Sequence, residues 1–65
     1  MKQYDLLRKR GNYWEYKGTR FADTMEQAAR KGSFLYHIKT IGVREVGTQE
    51  IVVFRLEQKH FEEFP

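Results

Sequence analysis

Apolar and polar residues alternate along the first part of the chain with the two-residue period of half-buried strands. This pattern predicts one strand over residues 3–9 and a second over 13–17. Residues 10–12 (Arg-Gly-Asn) form the predicted turn, because Gly and Asn accept the positive φ of tight hairpins. Gly18 then indicates a break or a bulge. The first element is therefore a β-hairpin.

The residues after the hairpin have the spacing of a helix. Asp23 and Glu26, three residues apart, match a capping box in which Asp replaces the usual Ser or Thr. A narrow, alanine-rich apolar stripe comes next. Gly32 suits the left-handed position after a helix, and the two cations before it suit the last turn. We expect a helix of roughly eight residues over 24–31, too short to be stable in isolation.

Alternation returns after the helix. It predicts a third strand over 34–41, a turn at 46–48 and a β-branched fourth strand over 50–57. The tail over 60–65 has two phenylalanines three residues apart and is expected to form one helical turn. The order β-β-α-β-β predicts an α+β fold in residues 1–65 as one small domain. Its four-stranded antiparallel sheet would carry the one short helix on one face.

The predicted core lies between that helix and the sheet. A one-residue register error would exchange the two faces of a strand, so the hairpin faces depend on the turn. The predicted core residues are Leu6, Trp14, Tyr16, Phe21, Met25, Ala28, Ala29, Phe34, Tyr36, Ile38, Val52, Phe54 and Leu56.

The amino-acid composition limits which chemical functions the chain can have. A chain of 65 residues buries only about 60% of its unfolded surface, so it depends on its aromatic side chains. It contains no cysteine, which excludes disulfides, thiolate zinc sites and a thiol nucleophile. No apolar run is long enough to cross a membrane, and the N-terminus lacks the apolar region of a signal peptide. A cytoplasmic protein is expected.

No group of residues has the pattern of an active site. The two histidines, His37 and His60, are far apart, and with Glu62 they match no known metal-binding spacing. The glycines fall singly at turn positions, so there is no phosphate-binding loop. We therefore expect no enzymatic activity, cofactor or metal.

Charge is distributed unevenly. Residues 1–44 carry a balance of +6 and residues 45–65 a balance of −3. The cations cluster around an aromatic strand in the first hairpin, a combination that attracts phosphates and stacks bases. A two-stranded ribbon also fits the DNA major groove. The predicted nucleic-acid-binding residues are Arg8, Lys9, Arg10, Tyr13, Lys17 and Arg20.

Two alternatives remain open. The rings can be core residues and the cations edge-strand charges that oppose aggregation. The chain can also be a protein-interaction module, such as a small inhibitor, adaptor or accessory protein of phage or mobile-element type. A monomer and a homodimer paired through an edge strand are both compatible with the pattern.

Residues 11–16, continuing through Phe21 to the predicted helix over 24–31, resemble the arm-binding domains of phage-type integrases. In those domains a short sheet with a Trp-Xaa-Tyr strand precedes a helix. The resemblance covers less than half of the chain, and the two strands predicted after the helix depart from it. It implies no function for this chain.

Overall fold

The computed structural model describes residues 1–56. Its elements are β1 (Lys2–Arg10), β2 (Tyr13–Ala22), α1 (Met25–Tyr36), β3 (Thr40–Glu45) and β4 (Val52–Arg55). The strands form one antiparallel sheet in the order β2-β1-β3-β4, and α1 packs on one face of it. The predicted fold class is confirmed. The predicted tail over 60–65 and the last residue of the predicted fourth strand lie outside the described residues.

The first hairpin closes on a two-residue turn at positions 11–12, one residue shorter than the predicted turn. Its glycine has a φ of +57°, in the region that tight hairpin turns require. Arg10 therefore lies opposite Tyr13, and Lys9 lies opposite Trp14. Because cross-strand partners share a face, this turn decides on which face the tryptophan lies.

A β-bulge interrupts the pairing of β1 with β2. Leu6 lies opposite Gly18, whereas Leu7 lies opposite Tyr16, so Lys17 is an extra residue. The predicted break or bulge at Gly18 is thus confirmed, and the strand continues beyond it. A bulge changes the alternation of side chains by one position.

The helix begins one residue later than predicted. Thr24 is the N-cap, and its hydroxyl accepts the backbone N–H of Gln27 at 3.2 Å. The Gln27 side chain accepts the N–H of Asp23, the residue before the N-cap, at 3.1 Å, so Thr24 and Gln27 form a variant of the capping box. The prediction that Asp23 and Glu26 form the cap is wrong, because the cap begins one residue later.

The end of the helix also differs from the prediction. Helix α1 has 12 residues and ends at His37, which adopts the left-handed conformation with φ 56° and ψ 51°. The Ile38 N–H donates to the Ser33 carbonyl at 3.1 Å, and the Ser33 hydroxyl donates to the Ile38 carbonyl at 2.6 Å. A third strand over 34–41 is wrong, because the helix occupies the first three of those residues.

Gly32 has a packing role and does not stop the helix. A Cβ on its backbone would lie 2.6 Å from Cδ1 of Ile41 and 2.8 Å from Cδ1 of Leu6. Ala28 and Ala29 are fully buried on the same side of α1. The helix therefore approaches the sheet along small residues, and the glycine is needed inside it.

The core prediction is largely confirmed on the helix side, apart from Phe34 of α1, and is wrong for the aromatic residues of β2. Buried or packed against the core, as predicted, are Leu6, Met25, Ala28, Ala29, Tyr36, Ile38, Phe54 and Leu56, with Val52 half-buried. The wrong assignments are Trp14, which is half-buried on the opposite face, and Tyr16, Phe21 and Phe34, which are exposed. Buried residues that the pattern missed are Tyr4, Leu7, Ala22, Ile41 and Val43.

Candidate nucleic-acid interface

The sheet face opposite α1 carries the largest side chains of the hairpin, and we name it the open face. Its members follow from strand pairing, since Leu6 and its cross-strand partners face the helix. They are Gln3, Asp5, Leu7, Lys9, Trp14, Tyr16, Thr19, Phe21, Thr40, Gly42, Arg44, Val53 and Arg55.

Trp14 packs closely against Gly42 of β3. A Cβ on Gly42 would lie 2.8 Å from Cζ3 of the indole and 2.9 Å from Cγ2 of Ile51. Lys9 places its ammonium 5.0 Å from the indole centroid, within cation–π range. Leu7, on the same face, is only 3% exposed. The open face therefore has a small apolar centre, which the indole partly covers.

Two further rings lie on the open face and are exposed. Tyr16 is 58% exposed and Phe21 is 54% exposed. The Tyr16 hydroxyl shares a hydrogen bond of 2.6 Å with the Thr19 hydroxyl, which holds the tyrosine along the strand. Because the bulge changes the alternation between them, these rings face the same side although they are five residues apart.

The acidic side chain of the open face is already neutralised. Asp5 accepts a hydrogen bond from the Thr19 hydroxyl at 2.8 Å. Its carboxylate also accepts hydrogen bonds from Nε and Nη2 of Arg44, at 3.3 and 3.1 Å. Lys9 and Arg55 form no ion pair within residues 1–56. The open face therefore carries net positive charge.

A second group of cations lies on the helix side of the hairpin, around Tyr36. Arg8 donates from Nη2 to the Tyr36 carbonyl at 3.3 Å, at the negative end of the helix. Lys17 and Arg20 each lie 5.9 Å from the centroid of the Tyr36 ring. Gly18 lets that ring approach, since a Cβ there would be 2.5 Å from the phenol oxygen. We name Lys17 and Arg20 the basic edge.

The tip of the hairpin contains an ion pair. Arg10 donates from Nε to Oε1 of Glu15 at 2.9 Å. This hydrogen bond lowers the pKa of the Glu15 carboxyl and raises the pKa of the Arg10 guanidinium. Tyr13 is opposite Arg10 and is 59% exposed. At the tip, one positive charge is therefore engaged by a carboxylate.

The six residues predicted from the sequence do not form one surface. Lys9 lies on the open face, whereas Arg8, Lys17 and Arg20 lie on the helix side. Arg10 and Tyr13 lie at the tip. Sequence reasoning missed the exposed rings Tyr16 and Phe21 and the cation Arg55. A two-residue turn, had it been recognised, would have placed Tyr16 on the open face.

Comparison with known protein families, with curated proteins and with solved structures finds no match to this chain. Within residues 1–56, no three His, Cys, Asp or Glu side chains come together as ligands for a metal ion. In the same range no helix is both long and apolar enough to cross a membrane.

Proposed function

We propose that this protein is a small non-enzymatic module that binds nucleic acid through its first hairpin. The observation that carries the proposal is the position of exposed rings beside cations that have no acidic partner. Tyr16 and Phe21 are more than half exposed. Lys9, Lys17 and Arg20 form no ion pair within the described part of the chain. Phosphates attract such cations, and bases stack on such rings.

The charge balance of the hairpin supports this proposal. Both hairpin carboxylates, Asp5 and Glu15, are engaged by arginines. Of the other hairpin cations, Lys2 pairs with Glu45 at 3.9 Å, and Arg8, Lys9, Lys17 and Arg20 form no ion pair within residues 1–56. In β1, β2 and their turn, the Lys and Arg side chains are Lys2, Arg8, Lys9, Arg10, Lys17 and Arg20.

A salt titration tests the proposal. Binding to a labelled oligonucleotide should weaken steeply with salt, and the double variant K9A/K17A should bind less tightly. If each lysine contacts one phosphate of a single strand, the log–log salt slope falls by about 1.4. The control R30A/K39A removes the same total charge away from the hairpin. Absence of binding at low salt, or an equal loss in both variants, would contradict the proposal.

A charge-release experiment adds a matched pair of variants. Glu15→Gln frees Arg10 at the hairpin tip, and Glu26→Gln frees Arg30 on α1. Both ion pairs have an N–O distance of 2.9 Å. We expect Glu15→Gln to bind the oligonucleotide more tightly with a steeper salt slope, and Glu26→Gln to change little. The same gain in both variants would mean that binding follows net charge and not the hairpin.

A second candidate function is interaction with a protein. Strand β4 forms the other edge of the sheet, and its Val53 is 53% exposed on the open face. An edge strand can pair with a strand of a partner or of a second copy. This candidate predicts capture of a defined protein that persists in high salt and is lost in Val53→Lys. If no such partner is captured, nucleic-acid binding remains the proposal. We also propose that the protein is cytoplasmic.

A further inference from the structure

We propose that the ligand is a single-stranded nucleic acid that lies along the β2 edge of the sheet. Its bases stack on Tyr16 and Phe21 on the open face, and its phosphates contact the basic edge on the helix side. The inference rests on the proposed function and adds the form of the nucleic acid and its path. It concerns one strand of the fold, β2.

Rings and cations are paired along this strand. Tyr16 is followed directly by Lys17, and Phe21 is preceded directly by Arg20. In each pair the ring belongs to the open face and the cation lies beside Tyr36 on the helix side. A nucleotide likewise has a flat base on one side and a charged phosphate on the other. Each ring–cation pair therefore has the groups that one nucleotide needs.

The position of β2 makes this path accessible. It is an edge strand, so a ligand reaches both of its sides without crossing another strand. Its 10 residues span about 33 Å at 3.3 Å per residue. That length accommodates several nucleotides, in the range of small single-strand-binding domains of about 4–16 nucleotides.

The groups on β2 are held in place before any ligand binds. The Tyr16 hydroxyl is bonded to Thr19. Arg20 uses Nη1 to donate to the Thr19 carbonyl at 2.9 Å, and its other guanidinium donors remain for a phosphate. Such preorganisation lowers the entropic cost of binding.

A duplex fits this arrangement less well. In a duplex the bases stack on one another, and only their edges are accessible in the grooves. Exposed rings bind the faces of unpaired bases. A hairpin inserted into a major groove would contact DNA first with its tip, where Arg10 is engaged by Glu15. Lys17 and Arg20, which form no ion pair within residues 1–56, lie along the β2 edge and away from the tip.

The first test compares one sequence as a single strand and as a duplex of about ten base pairs, within the range of known site sizes. Binding is followed by the fluorescence of Trp14, the only tryptophan of the chain, and by anisotropy of the labelled oligonucleotide. We expect the single strand to bind at least about tenfold more tightly, in line with stacking on unpaired bases. Equal or tighter duplex binding would overturn this inference and leave the proposed function intact. Absence of binding to either form would overturn both.

The second test uses two tyrosines of nearly equal exposure on opposite sides of β2. Tyr16→Ala should weaken single-strand binding by about 5- to 150-fold, the range measured for one stacked base. Tyr16→Phe keeps the ring and removes only the hydroxyl contact with Thr19, so its loss of affinity should be much smaller than that of Tyr16→Ala. Tyr13→Ala should have little effect, and Phe21→Ala should repeat the loss. A loss in Tyr13→Ala equal to that in Tyr16→Ala would overturn the edge path and favour insertion of the tip.

A third measurement separates phosphate contacts from base contacts. Arg20→Ala should lower the log–log salt slope by about 0.7, as expected for one lost phosphate contact on a single strand. Tyr16→Ala should reduce affinity without changing that slope. If both variants change the slope equally, the two sides of β2 do not have the separate roles proposed here.

Discussion

The two faces of the sheet are built from different kinds of residue. On the helix side, Leu6, Ile41 and Val43 are fully buried under the small residues of α1. On the open face, Trp14 is half-buried and Tyr16 is exposed. The helix-side core is thus mainly aliphatic, with the ring of Tyr4 buried in it, whereas Trp14, Tyr16 and Phe21 lie on the open face.

This difference has a steric cause. Helix α1 approaches so closely that a single Cβ at Gly32 would lie 2.6 Å from Ile41. On β2 a side chain at position 18 would collide with Tyr36, which packs against Gly18. A small domain commonly uses its aromatic residues for the core. Here three of them, Trp14, Tyr16 and Phe21, lie on the open face instead.

The strongest test of this comparison uses two adjacent leucines on opposite faces. Leu6→Ala should lower the free energy of unfolding by about 2–5 kcal/mol, because the packed helix side does not relax into the cavity. Leu7→Ala should cost less, since the neighbouring Trp14 has room to move into the space. Urea unfolding followed by circular dichroism measures both. An equal or larger cost for Leu7→Ala would mean that the open face is packed as tightly as the core.

Disrupting the polar network around Asp5 on the open face should have the next largest effect on the free energy of unfolding. Asp5→Ala removes an acceptor that serves Thr19 and Arg44, and it should cost about 1–3 kcal/mol. Glu45→Ala is the control, because its pair with Lys2 is longer, at 3.9 Å, and exposed. That variant should cost less than about 1 kcal/mol. Similar costs would show that the network adds nothing beyond a surface ion pair.

Crowding the contact between Trp14 and Gly42 should have a smaller effect on stability. Gly42→Ala should displace the indole toward solvent at an overpacking cost of about 1–3 kcal/mol. Replacing a strand glycine returns roughly 0.5–1 kcal/mol, so the net loss is smaller. The indole emission should shift to the red. An unchanged emission maximum would show that the ring does not depend on this contact.

The smallest expected effect is a pH dependence at the hairpin tip. The hydrogen bond from Arg10 lowers the pKa of Glu15 in the folded state. The pair therefore stabilises the fold above the ordinary glutamate pKa of about 4.3, and the contribution is lost as the pH falls through the lowered value. Glu15→Gln should lower stability slightly near neutrality and leave it unchanged below the lowered pKa, so that the profile becomes flatter across the acidic range. A difference between the two proteins that is largest at the acidic end would contradict this assignment.

The general fold could be predicted because alternation and helical spacing are local signals. The face of Trp14 could not, because it depends on one residue of turn length. A three-residue turn puts the indole opposite Arg8, whereas the observed two-residue turn puts it opposite Lys9. This single step transferred Trp14 and Tyr16 from the predicted core to the open face.

The third strand was misplaced for a different reason. Gly32 has the local signature of a helix end, but its role is a contact with β3 and β1 that is distant in sequence. Once the helix was ended there, the apolar residues from Phe34 to Tyr36 were assigned to a strand. A short apolar run fits either a strand or a buried helix, and tertiary packing decides between them.

The bulge at Lys17 also determines how this surface would be written as a sequence motif. In a regular strand, residues on one face are separated by even steps, so a pattern search would pair Tyr16 with position 20 or 22. Here the same-face partner is Phe21, an odd step away. A motif for related chains should therefore keep the spacing Trp-x-Tyr-x₄-Phe with glycine at its bulge. An even spacing between the tyrosine and the phenylalanine across the same bulge would put the two rings on opposite faces.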